Sequence, residues 1–131
     1  MKKSILLVCG FLCILFSSCK KTPSEFLVSE MNTLQELTNP GLKEELTVNK
    51  QVTFYVEVSK MNKPAVTYTL KETTKSNPDL LITSGTIDKV MSGKTLSLTY
   101  TPTQRNVLTS LQLRVVCGND VIHQFKDFVA K

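Results

Sequence analysis

Between Val52 and Val58 every second residue is branched or aromatic, Val52, Phe54, Val56 and Val58, while Thr53, Tyr55 and Glu57 fill the gaps. Only an extended backbone sends successive side chains to opposite faces, so a period of two demands a strand with one buried side. Gln51–Ser59 is therefore expected to be a strand. The same period returns in Val66, Tyr68 and Leu70, in Leu96, Leu98 and Tyr100, and in Leu111, Leu113 and Val115. No long stretch carries apolar residues at the 3.6 spacing of a helix. The chain is confined to the all-β class.

Turn residues divide the rest. Glu25–Met31 is expected as a first strand with Phe26 and Val28 on one face, and Asn32–Leu37 as a helical turn through Leu34 and Leu37. Asn39-Pro40-Gly41 then breaks any regular element. Leu42, Leu46 and Val48 share one parity, which Glu44 interrupts. Asn49-Lys50 turns the chain, Pro64 marks the edge of the next strand, and Ser76-Asn77-Pro78-Asp79 is a strong turn signal. Leu80–Ile82 and Thr86–Val90 are expected as two short strands, separated near Ser84-Gly85. Ser92-Gly93-Lys94 turns again before Thr95–Thr101, and Pro102 ends that strand. Gly118-Asn119-Asp120 closes a hairpin between Leu108–Val116 and Val121–Val129. About seven to nine short strands at roughly 8–12-residue spacing, each with one apolar face, make a single antiparallel β-sandwich.

The N-terminus has a different grammar. Lys2 and Lys3 precede an uncharged apolar run, Ile5–Phe16. That run is too short to span a bilayer, which takes about 20 apolar residues, and fits the h-region of a signal peptide. Small residues Ser17 and Ser18 follow, then Cys19. Leu15-Phe16-Ser17-Ser18-Cys19 resembles a bacterial lipobox, with Phe16 where Leu is favoured. The resemblance implies cleavage before Cys19 and acylation of that cysteine. The alternative is an ordinary signal peptide cut near Ser18, which leaves Cys19 a free thiol. In lipoproteins an Asp after the cysteine often retains the protein at the inner membrane. Lys20 stands there instead, so the outer membrane is expected. Surface-exposed Bacteroides-group lipoproteins carry acidic residues at this point, and Lys20-Lys21 favours the periplasmic face. The chain divides into a leader, 1–18, a lipidated N-terminus and tether, 19–24, and one domain, 25–131.

Processing simplifies the chemistry. Removing the leader leaves 113 of 131 residues, which suits one domain. Lys2 and Lys3 leave with it, so 16 basic side chains become 14 against 11 acidic, a net charge of +3. The lysines are scattered, without the clustering and interleaved aromatics of a nucleic-acid surface. Cys9 and Cys13 depart too, leaving Cys117 beside a blocked Cys19. No internal disulfide and no cysteine zinc site can form.

His123, the single histidine, shares a strand face with Phe125 and Asp127, and Cys117 lies across the hairpin. A thiol, a base and an orienting acid are the parts of a nucleophilic site. Cys117 nevertheless continues the inward parity of Leu111, Leu113 and Val115, as a buried free cysteine does. No calcium-loop spacing and no glycine-rich phosphate loop occurs. Neither an enzyme nor a cofactor or metal is expected. The chain lacks Trp, which weakens a sugar-stacking platform. A receptor for a small molecule or glycan would have to gather Phe54, Tyr55, Tyr68 and Tyr100 around one pocket. Tyr55, on the polar parity of its strand, is the candidate exposed aromatic.

SEFLVSEM (24–31), LTVNKQVTFYVEV (46–58), VTYTL (66–70), SGTI (84–87), KTLSLTYTP (94–102) and LQLRVVCGND (111–120) follow one another as in a known family. In them the chain resembles the TraQ-type lipoproteins of Bacteroides conjugative transposons. It departs from that pattern in DKVMSGK (88–94) and in an additional segment, Asn32–Leu42. The resemblance implies an immunoglobulin-like domain and an accessory role in a conjugative transfer apparatus. It brings no catalytic residues. The function expected is that of a non-catalytic, membrane-anchored lipoprotein binding or scaffolding other envelope proteins, with the small-molecule or glycan receptor as alternative.

Overall fold

The computed structural model describes residues 26–59, 61 and 65–131. The leader, the cleavage point and Cys19 lie outside the described residues. Seven strands and two short helical turns occupy the rest: β1 (Asn32–Thr33), α1 (Leu34–Thr38), β2 (Val52–Glu57), β3 (Ala65–Thr73), β4 (Leu80–Asp88), a 3-10 turn (Lys89–Met91), β5 (Thr95–Tyr100), β6 (Leu108–Cys117) and β7 (Asp120–Val129). They form two antiparallel sheets, one in the order β1-β2-β5 and the other β4-β3-β6-β7. This is an immunoglobulin-like β-sandwich. In the constant-type arrangement the fourth strand joins the first sheet. Here β4 stays beside β3, which makes the second sheet the larger.

Alternation builds the core. Phe54, Val56 and Leu98 point inward from the small sheet, and Leu70, Ile87, Leu111, Leu113 and Val115 from the large one, all buried. Emptying any one of the leucine positions to Ala costs about 2–5 kcal/mol. Cys117 closes the inward row of β6. The β6–β7 hairpin turns on Gly118-Asn119 between paired Cys117 and Asp120. Gly118 has φ +62°, which a two-residue turn with glycine at its first central position requires.

Three sequence expectations need correction. The first strand is not continuous. Val28 bridges Val58, but serine hydroxyls take alternate places in the ladder: the Leu27 N–H donates to Ser59 Oγ and the Glu57 N–H to Ser29 Oγ. The inward parity of Phe26 and Val28 then shifts to Met31 and Thr33, all four buried. Leu34 and Leu37, second, sit on α1 as the helical turn requires, yet both are exposed. A capping box between Thr33 and Glu36 starts this turn. At five residues α1 is too short to hold itself by propensity.

The third correction concerns β4. It runs unbroken through Ser84-Gly85 and stops at Asp88, where the 3-10 turn replaces the expected strand end. Gly85 pairs with Tyr68, and a Cβ there would lie 2.9 Å from the Tyr68 ring and its hydroxyl. The glycine makes room for a ring; it does not break the strand. The irregularity falls instead at Ile82: Leu70 pairs with Thr83 and Lys71 with Leu81, so Ile82 is the extra residue of a bulge in β4.

Two polar contacts tie the sheets together. The buried Tyr100 hydroxyl of β5 donates to the buried Glu72 carboxylate of β3. Gln124 Nε2 of β7 donates to the Val28 carbonyl, 3.1 Å away. Leu42–Val48 forms no strand. Leu46 is buried, and the Lys131 main chain donates to the Leu46 carbonyl while accepting from the Val48 N–H. Among the described residues no helix is long and apolar enough to cross a membrane.

Candidate functional site

Each sheet ends in two edges, and an unpaired edge offers a row of N–H and C=O groups to another chain. The four differ in how far they are closed. β1 has two residues. β5 has six. At the far end of β7, the Lys131 main chain is already engaged by Leu46 and Val48. Beside β7 a cleft of about 440 Å³ is lined by Glu36, Leu42, Lys43 and Lys126, among others. Within it the Lys126 ammonium meets the Glu36 carboxylate. Burial alone would raise the Glu36 pKa, but Lys126 and the Thr33 cap outweigh it and hold the carboxyl below its usual value. An inward-leaning charge of this kind on an edge strand discourages a further strand from pairing there.

β4 is the longest edge without charge or proline, two devices that close an edge: Leu80–Ile87 carries neither, a trait the six-residue β5 shares. Leu81, 54% exposed, and Leu80 lie at its start, and Ser84, Thr86 and Asp88 are placed along it, all three exposed. Lys71 and Asp79 form an ion pair of 2.9 Å at the Leu80 end. Ile87 plugs the strand into the core, and β3 pairs with it along nearly its whole length. An extended segment added to this edge would supply main-chain hydrogen bonds, and its side chains would meet Leu81 and Thr86. The uncharged run LLITSGTI was visible in the sequence; its continuity was not.

The thiol constellation does not assemble. Cys117 is buried on the inner face of β6, whereas His123 and Asp127 lie on β7 with their side chains reached by solvent. His123 Nδ1 lies 2.7 Å from Gln112 Nε2, and its ring is tilted against Phe125. Among the described residues no three His, Cys, Asp or Glu side chains gather closely enough to hold a metal ion. The four aromatics do not converge either. Phe54 and Tyr100 are core residues, Tyr55 is half-buried on the far face of β2, and Tyr68 covers Gly85. A second cleft, about 520 Å³, lies at the opposite pole between Leu27–Ser29, Glu57–Ser59 and Gly93–Thr95, and none of those aromatics lines it.

No family model, no curated protein and no solved structure matches the chain.

Proposed function

We propose that this protein is a non-catalytic, lipid-anchored module of the bacterial envelope that binds an extended segment of another envelope protein by adding it as a strand to β4. The observation that carries the reading is the open edge itself: nine residues long, uncharged as far as Asp88, and with exposed leucines at its start. The lipobox-like Leu15–Cys19 supplies the anchor, and Lys20 in place of Asp directs it to the outer membrane, facing the periplasm. The TraQ-like order of strands favours a partner within a conjugative transfer apparatus, so conjugation genes are expected beside the coding sequence.

Leu81→Lys with Thr86→Lys tests the edge. Neither side chain is buried, so the change in folding stability stays within about 0.5 kcal/mol per site. Protein recovered from cross-linked membranes should bring an envelope partner with it in the wild type and lose that partner in the double variant. Recovery of no partner by the wild type, or of the same partner by both, contradicts the proposal.

A further inference from the structure

The lysine-flanked apolar tip between β4 and β5 shares its pole with the point where the chain enters the domain. Phe26 is buried at the start of the described residues. Just beyond it the Leu27 carbonyl accepts from the Ser59 N–H, and Val58 in turn bonds the main chain of Gly93 and Lys94, each at 2.9 Å. Leu27, Gly93 and Lys94 line one cleft. The turn from Lys89 to Lys94 is thus strapped to the entry strand. Its apex is Val90, 73% exposed, more than any other large apolar side chain among the described residues. Lys89 and Lys94 flank it, both exposed, and Leu27 is 56% exposed on the same pole.

The geometry points to this pole as a lipid-facing surface, with Val90 seated among headgroups and Lys89 and Lys94 against anionic ones. The inference rests on the lipid anchor proposed above. Cys19 precedes Phe26 by seven residues, which reach at most about 25 Å when fully extended. Strands of nine and ten residues, by comparison, run about 30 Å or more, and Leu108 lies at the far end of the ten-residue β6. An acylated Cys19 therefore draws the entry pole, and not the distal one, onto the bilayer. A single exposed valine is ordinary on a protein surface; its position beside the tether selects lipid as its neighbour. Lys20 and Lys21 adjoin Cys19 in the sequence, so an acylated Cys19 brings both to the bilayer that Lys89 and Lys94 would meet; Glu57, Asp88 and Asp120 share the pole. Polybasic segments close to a surface are attracted to anionic lipid. The domain is then held upright, with β4 running away from the membrane and its Leu80–Leu81 end presented to the periplasm.

The absence of Trp makes the test clean. The full mature protein is reconstituted in phosphatidylglycerol vesicles with brominated acyl chains, as a Val90→Trp variant and, for the distal pole, as a Leu108→Trp variant. The inference predicts that bromolipid removes most of the indole emission of the Val90→Trp protein and little of that of the Leu108→Trp protein. It also predicts that the emission of the tip variant recovers when Lys89 and Lys94 are both changed to Glu. A protein whose mass lacks the acyl chains overturns the anchor and this orientation with it. An acylated, vesicle-bound protein whose tip indole is quenched no more than the distal one overturns the orientation alone. A tip indole shielded from water but not quenched marks a protein contact, and that too overturns it.

Discussion

Glu72 is a carboxylate inside a sandwich core, 2% exposed, and its hydrogen bond comes from the phenol of Tyr100, 3% exposed. Burial raises the Tyr100 pKa far above the ordinary phenol range, and the Glu72 carboxylate beside it pushes the same way. The fold therefore keeps the phenol proton that the unfolded chain releases above about pH 10. More protons are bound in the folded state there, so stability falls as pH rises. This contribution is fully present below the phenol's ordinary pKa and disappears through the alkaline range. Tyr100→Phe should flatten the alkaline slope of urea-unfolding stability relative to wild type. At neutral pH it should cost about 2–3 kcal/mol, because Glu72 loses its donor. An unchanged slope contradicts the role given to Tyr100. The inward parity of Tyr100 was legible in Leu96, Leu98 and Tyr100. Glu72 also keeps the even parity of Val66, Tyr68 and Leu70. It was missed because a charge at an inward position reads as the end of a strand, and its compensating donor is supplied by the other sheet, 28 residues later.

At the scale of elements, β4 depends on one close approach. Gly85 gives the Tyr68 ring its place, and a methyl group there meets the ring at 2.9 Å. Gly85→Ala should destabilise by about 1–3 kcal/mol through overpacking. Tyr68→Leu in the same chain should relieve much of that, since residues in contact do not contribute additively. Additive losses in a double-mutant cycle measured by denaturant melts would exclude the ring as the reason for the glycine. The alternations that name β2, β5 and β6 were legible because both faces of those strands obey one rule. β4 was divided in two because Ser84-Gly85 reads as a break, whereas a glycine inside a strand also marks a close approach, here of a ring from a neighbouring strand. The first strand failed for a related reason. Ser29 and Ser59 look like solvent-facing polar positions, yet their hydroxyls replace main-chain partners in the ladder. α1 was legible as a turn, but through Leu34 and Leu37, which are exposed; its start lies in the Thr33–Glu36 capping box and its orientation in Lys126 of β7 reaching Glu36.

At the scale of the molecule, a period of two fixes a sandwich without saying which strands share a sheet. Both sheets bury one face, so each strand's alternation is satisfied in either. Only the placement of β4 beside β3 enlarges one sheet and leaves its longer uncharged edge open. The open edge was therefore half visible, in the run Leu80–Ile87, and half hidden, in the topology. The proposed leader is the reverse case: its chemistry would be local, so Leu15–Cys19 can be interpreted without any fold. The proposed anchor, edge and apolar tip fit one arrangement, a domain on a short tether that would hold a binding strand clear of a lipid surface. Two or more acyl chains would make such attachment stable, where one would be marginal. The most direct test is the mass of the mature N-terminal peptide, with membrane fractionation beside it. The account predicts a chain that begins at acylated Cys19 and sediments with the outer membrane, and a Cys19→Ala protein that does not. An unmodified thiol at Cys19 in a freely soluble protein would contradict it.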